Sequence, residues 1–267
     1  MLDATDLSPT VGSEVRIDRD ALMAGTYADE LKELLERRGV LVMRDIFFDA
    51  DEQRTFTKTM GEIRQGLYEE DGLLKVVDIK GTFFWHLDGA YGEIPPYATV
   101  LVPQVIAPEG GQTEFANTYA AYEDLPPEEQ ERLLPLRVMH SMKSSMDDAH
   151  PDSTIEEIAG YLQYRKDQPL VWQHASGRKS LVLGTTASHV IGMHPAESKK
   201  LLDDLLAHAT QPKNVYRHEW KPGDVVMWDN TGTMHRAIPF DLASGRMLHR
   251  FALEGVEPFA AAETVSA

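Results

Sequence analysis

Gly81-Thr82-Phe83-Phe84-Trp85-His86-Leu87-Asp88-Gly89 reads as a β-rich run that ends on a turn glycine. Residues two apart on a strand share a face, so His86 and Asp88 project together while Trp85 and Leu87 point the other way. An imidazole beside a carboxylate is two thirds of the 2-His-1-carboxylate facial triad, which holds non-haem Fe(II) and leaves positions open for oxygen chemistry. His-x-Asp on a strand is a weak signal by itself. The rest of the chain has to supply a third ligand and a receptor for an anion.

Outward from that run, strand signals recur. Val15–Ile17, Val40–Met43, Leu73–Ile79, Tyr97–Ile106, Thr113–Thr118 and Arg137–Met142 read as strands. So do Pro169–His174, Lys179–Leu183, His189–Met193, Asn214–Trp220, Asp224–Trp228, Thr233–Ile238 and Arg246–Leu253. Tyr27, Leu31, Leu34 and Leu35 recur at helical spacing before a capping Gly39. Further helices are predicted over Asp51–Ile63, from Pro126-Pro127 onward, over Ile155–Tyr164, and over Pro195–Ala209 with Leu201, Leu202, Leu205 and Leu206 on one stripe. Many short strands with Gly/Pro turns, and helices gathered mainly early, predict a mainly β fold: a double-stranded β-helix, or cupin-like jelly roll, with helical additions. No linker or repeat divides residues 1–267, which read as one domain. Apart from the helix at Ile155–Tyr164, the stretch 143–168 is polar and poorly periodic, and it is expected to serve as an active-site lid or binding loop.

Composition narrows the chemistry. With 26 basic and 43 acidic residues the net charge is −17, which argues against nucleic acid or an anionic membrane as partner. No apolar run approaches a membrane span, and residues 1–6 lack the features of a signal peptide. There is no cysteine, so thiolate sites and disulfides are excluded and any metal has N and O ligands. A cytoplasmic enzyme with a small-molecule substrate is expected, and homo-oligomerisation is left open. No GxGxxG, GxxxxGK[ST] or GxSxG is present, which removes the usual nucleotide-binding and hydrolase readings.

Near the C-terminus, Trp228-Asp229-Asn230-Thr231-Gly232-Thr233-Met234-His235-Arg236 offers His235 as the third ligand. Eleven positions on is Arg246, a spacing that suits a hairpin setting His235 and Arg246 on neighbouring strands. Alternation puts Arg246, Leu248 and Arg250 on one face and His249 on the other. Two arginines on one face make a bidentate carboxylate receptor. His140, His150, His174, His194, His208 and His218 have no paired ligand at suitable spacing and read as structural or solvated, as do Asp147-Asp148 in their polar stretch. His189 borders the pocket in this reading.

Together these residues resemble the taurine/2,4-dichlorophenoxyacetate dioxygenase family of Fe(II)- and 2-oxoglutarate-dependent oxygenases. The resemblance runs from about Gly39 to Glu254. It rests on His86-x-Asp88, Gly110-Gly111-Gln112-Thr113-Glu114-Phe115, Gly177–Leu181, Trp228-Asp229-Asn230, and His235 followed by Arg246 and Arg250. It implies that His86, Asp88 and His235 ligate Fe(II). It also implies that Thr113 and Arg246 bind 2-oxoglutarate, and that Arg250 contacts the same cosubstrate or the anionic group of the substrate. Thr82 and His189 join Arg250 as candidate substrate contacts. The implied reaction consumes O2, converts 2-oxoglutarate to succinate and CO2, and hydroxylates a substrate C–H, with C–O or C–N cleavage where the hydroxylated carbon bears a heteroatom. The Gly110–Phe115, Tyr216–Trp220 and Met234–Arg236 runs look closer to the aryloxyalkanoate branch, so a small or medium organic acid is the expected substrate. A sulfonate, an amino acid or a natural-product intermediate is the alternative within this chemistry. Outside it stand a cupin-like metal- or sugar-binding module and a Zn2+ hydrolase.

Overall fold

The computed structural model describes residues 2–65, 69–70, 73–74 and 80–261. In chain order these form β1 (Asp3–Asp6), β2 (Ser13–Arg16), α1 (Arg19–Met23), α2 (Ala28–Arg38), β3 (Val40–Met43) and α3 (Ala50–Met60). A small hairpin, β4 (Glu69–Glu70) and β5 (Leu73–Leu74), precedes β6 (Ala98–Val105), β7 (Thr113–Asn117), α4 (Thr118–Glu123), α5 (Pro127–Leu133) and β8 (Arg137–Ser141). Next come α6 (Met142–Ala149), α7 (Ile155–Leu162), β9 (Arg165–Pro169), β10 (Val171–Gln173), β11 (Lys179–Leu181), β12 (Ala187–Val190) and α8 (Pro195–Ala209). The chain closes with β13 (Val215–His218), β14 (Val225–Asp229), β15 (Thr233–Ala237) and β16 (Met247–Ala252). The protein is mainly β with helices.

Among the described residues, the largest sheet runs β1-β2-β3-β14-β6-β16, antiparallel except for the β2–β3 pair. A three-stranded sheet, β13-β7-β15, packs against it. The central strands read as unbroken apolar runs because both of their faces are covered. Val40, Val42, Val226 and Trp228 meet Phe115 of the smaller sheet, with the Phe115 and Trp228 rings 5.5 Å apart. Leu41, Met43, Val225 and Met227 turn the other way, onto Leu31, Leu34 and Leu35 of α2 and Phe56 and Met60 of α3. Each such side chain contributes roughly 1.5–3 kcal/mol when fully buried, so a slip of one residue in β3 or β14 is strongly disfavoured. The outer face of the smaller sheet, through Ala116 and Met234, packs on Tyr122 of α4, Trp172 of β10 and Leu202 and Leu205 of α8.

Four expectations are corrected. The His86 run is not a strand: Lys80–Phe83 is a 3-10 turn, and His86 makes a single antiparallel bridge to His235. His235 and Arg246 do not lie on a hairpin, because β15 pairs with β7 whereas β16 pairs with β6 in the other sheet. Residues 143–168 hold the expected helix, as α7 with its Thr154/Glu157 capping box, but the rest is not loop, since α6 precedes that helix and the start of β9 follows it. Helices are not gathered early, since α4 to α8 fall between β7 and β13. The predicted strand Leu73–Ile79 begins as β5, and its remainder lies outside the described residues.

Candidate active site

Trp85 and Leu87 are buried in the core beneath the smaller sheet, so the alternation read from the sequence survives although the strand does not. The segment stays extended because His86 and His235 exchange both backbone hydrogen bonds, at 3.1 and 2.9 Å. That exchange sets their rings 4.2 Å apart. Asp88 stands between them, 3.7 Å from His86 Nε2 and 3.9 Å from His235 Nε2. One donor atom from each of the three residues lies within 4.8 Å of the others, and among the described residues this is the one such group of three.

The donor set suits a divalent metal. His86 Nδ1 donates to the Phe84 carbonyl at 2.8 Å, which leaves Nε2 as the unprotonated nitrogen. Burial, with help from nearby His86 and Arg250, pushes the His235 imidazole down to about 3, so it is neutral at ordinary pH. Burial works to raise the Asp88 carboxyl, but Arg250, His235 and His86 together hold it well below the usual carboxylate range. Two imidazoles and a carboxylate gathered on one side of a site match the facial N,N,O pattern.

The two arginines occupy different positions. Arg250 donates to Asp88 Oδ2 at 2.5 Å. Arg246 lies over the Phe240 ring at 4.6 Å and donates to the Gly111 carbonyl at 2.9 Å. Burial alone pulls the Arg246 guanidinium down to about 10, and among the described residues no carboxylate pairs with it. Gly110 and Gly111 make this arrangement possible. Both have positive φ, and a Cβ on Gly111 would come within 2.8 Å of Arg246 Nε.

Thr113 and His235 belong to the smaller sheet, and Arg250 and Leu248 to the larger, so the site is assembled across the interior between them. Thr113 Oγ1 accepts from the Trp220 indole at 3.1 Å. On the opposite face, Glu114 accepts from Arg217 and Arg236. This ladder spans β13, β7 and β15 and helps hold the register that pairs Phe115 with His235. Thr82 sits on the 3-10 turn that packs against β15 and α6. His189 is exposed on β12, 3.1 Å from Ser188 Oγ, and is not part of the gathered group. Five other histidines have structural partners: His140 with Thr186, His174 with Ser180, His194 with the Ala196 amide, His208 with the Ala121 carbonyl and His218 with Asp224.

Sequence reading missed the Asp88–Arg250 pair, the Phe240 platform and the Phe84 carbonyl. The first joins residues far apart in the chain, which no spacing rule reaches; the second joins near neighbours across the 3-10 turn at Leu242–Ser244, a geometry the sequence pattern does not record. The third was available, since Phe84 is two residues before His86 in a segment too distorted to pair as a strand.

Residues 3–252 match the family model described as taurine catabolism dioxygenase TauD, TfdA family. An alpha-ketoglutarate-dependent 2,4-dichlorophenoxyacetate dioxygenase of Burkholderia sp. (strain RASC) is 34% identical, over 88% of this chain and 89% of that protein. An alpha-ketoglutarate-dependent sulfate ester dioxygenase of Pseudomonas putida is 28% identical, over 96% and 91%. The crystal structure of AAD-2 in complex with Mn(II) and N-oxalylglycine superposes with a TM-score of 0.85 at 31% identity, covering 97% of this chain and all of that one. With this donor set and this extent of likeness, the chain belongs to the TauD/TfdA family, the dioxygenases that use Fe(II), 2-oxoglutarate and O2.

Proposed function

We propose that the protein hydroxylates a small or medium organic acid, with an aryloxyalkanoate-like ether as the leading substrate class, on a jelly-roll core. The observation that carries this reading is the pairing of a compact His86/Asp88/His235 donor set with Arg246, a buried guanidinium that has no carboxylate partner among the described residues. Such a cation suits the distal carboxylate of a keto acid. A Zn2+ hydrolase or a cupin-like binding module would need neither it nor Thr113. The names of the Burkholderia and Pseudomonas relatives describe anionic organic substrates, which supports an acid here.

In this reading His86, Asp88 and His235 hold the iron. When bound, iron and 2-oxoglutarate supply the oxidation of a C–H by O2, with succinate and CO2 released. The chain's own residues bind and orient. Arg246 takes the distal carboxylate, and the Phe240 ring supports the face of its guanidinium. Thr113 already accepts from Trp220, so its O–H is free to donate to the cosubstrate. Arg250 holds Asp88 Oδ2, keeping that carboxylate ionised and oriented. A guanidinium has five N–H donors, so Arg250 retains others for the anionic group of the substrate or cosubstrate. Thr82 and His189 remain proposed substrate contacts, the first better supported because its turn leads directly into His86.

Anaerobic addition of Fe(II) and 2-oxoglutarate should give a weak visible charge-transfer band. Losing a buried, hydrogen-bonded charge partner costs about 2–5 kcal/mol, so Arg246→Ala should raise the 2-oxoglutarate concentration needed for that band at least about tenfold. A folded, iron-loaded wild type without the band would overturn the reading.

A further inference from the structure

Thr113 and Phe115 share a face of β7, being two residues apart on a strand. Phe115 is the register partner of His235, and the two rings lie 6.3 Å apart. Two residues before Thr113 is Gly111, whose carbonyl accepts from Arg246 at 2.9 Å. Along this stretch Thr113 thus falls between the turn that carries Arg246 and the point where His235 pairs. A molecule reaching from the donor set to Arg246 has to pass it. The direction of its hydroxyl is set by Trp220, which donates from Nε1 to Thr113 Oγ1 at 3.1 Å. An indole nitrogen only donates, whereas a hydroxyl has one proton and two lone pairs. The oxygen must therefore accept from Trp220, and its own proton points away from the indole. Among the described residues Thr113 Oγ1 has no other hydrogen-bond partner. Both side chains are buried, where a donor without a partner is costly.

The indole is itself braced. The ring of His218, which pairs with Thr113 across β13 and β7, meets it edge-on, with centroids 4.4 Å apart and planes at 80°. His218 is fully buried and held at both nitrogens. Nε2 donates to Asp224 at 3.1 Å, and Nδ1 accepts from the Tyr216 hydroxyl at 3.1 Å. Asp224 accepts in turn from Arg44 at 2.6 Å and from the Lys221 amide at 2.8 Å, which pins the backbone directly after Trp220. Such a buried network restricts the indole to one position.

We propose that Trp220 is a positioning residue for the cosubstrate and acts through Thr113. By filling one lone pair of Oγ1, its N–H turns the hydroxyl proton toward the space between Arg246 and His235, where it donates to a carboxylate of 2-oxoglutarate. The inference rests on the oxygenase reading above and adds the residue that aims the Thr113 donor.

Anaerobic titration of the Fe(II)·2-oxoglutarate band gives the 2-oxoglutarate Kd for wild type, Thr113→Val, Thr113→Ser and Trp220→Phe, and for each Thr113 variant combined with Trp220→Phe. Thr113→Val removes a hydrogen bond to a charged group and should weaken binding about tenfold or more, and Trp220→Phe about fivefold. Thr113→Val with Trp220→Phe should bind no more weakly than Thr113→Val alone, because the indole acts only through the hydroxyl. Serine keeps the hydroxyl but lacks the methyl that restricts χ1, so it depends on the indole for its direction. Thr113→Ser should weaken binding about twofold where Trp220 is present, and as much as Thr113→Val where Trp220 is replaced. A packing defect at Trp220 would instead add its full effect to every Thr113 variant and overturn the inference. Serine that binds no better than valine beside an intact Trp220 would also overturn it, and that comparison stands even where Trp220→Phe does not fold. Thr113→Val with wild-type affinity would remove the Thr113 assignment and this inference together, with the band and the oxygenase reading left in place. A wild type without the band fails the oxygenase reading itself and takes this inference with it.

Discussion

His86 and His235 are held to each other through their backbones before any metal arrives, so the donor set does not depend on the metal for its shape. Replacing one ligand should therefore remove affinity and leave the fold in place. His86→Ala, Asp88→Ala and His235→Ala are each expected to abolish stoichiometric Fe(II) binding, measured by metal content after dialysis. His249→Ala should bind iron like the wild type, because β16 alternates and His249 lies on the face opposite Arg250, where its carbonyl accepts from Gln53 of α3. Normal iron content in His235→Ala would show the ligand assignment to be wrong. Asp88→Ala carries a second expectation. It leaves Arg250 without its carboxylate, and removing one partner of such a pair costs more than the pair contributed.

At the scale of elements, the Gly110-Gly111 turn and α7 illustrate opposite cases. The turn is tightly determined: Gly111 has φ +74°, and Arg246 lies where a side chain would be. Gly111→Ala should fold, since the added Cβ meets the flexible end of the Arg246 side chain rather than backbone. It should nevertheless displace the Arg246 guanidinium and weaken 2-oxoglutarate binding about tenfold, read as the apparent KM. α7 is loosely determined. Its capping box is complete, yet none of its residues is buried, and Ile155 is 82% exposed. Thr154→Ala removes a cap worth about 1 kcal/mol, and that loss should stay local. Amide exchange across 155–162 should accelerate while the global Tm is unchanged, and a Tm drop of several degrees would show that α7 is coupled to the core.

Over the whole molecule, burial sets one strong pH dependence away from the metal. Asp229 closes β14, accepts from Thr231 and Tyr119, and among the described residues has no cationic partner. Burial, opposed by those hydrogen bonds, raises its carboxyl from 3.8 to about 6. The folded-state value lies above the unfolded one, so the contribution is fully present below the unfolded pKa and is lost as pH rises through about 6. The loss amounts to about 3 kcal/mol at most. Urea unfolding at about pH 5 and about pH 8 should show Asp229→Asn gaining on the wild type as pH rises, and a constant difference would refute the assignment. The sequence by itself determined the parts governed by local rules. Val40–Met43 and Pro195–Ala209 appear with the predicted bounds, and His86 and Asp88 share a side because neighbouring side chains alternate in extended chain. His235, Arg246 and Arg250 were read from the C-terminal run, and the resemblance added Thr113 and the ligand roles. Only the tertiary structure decided that His235 and the strand that follows Arg246 belong to different sheets, that residues 142–149 form a helix, and that Arg250 faces Asp88. Those outcomes depend on which strands pair and which faces meet across the interior, and the free energy that selects them comes from burying side chains distant in sequence, which no local pattern records.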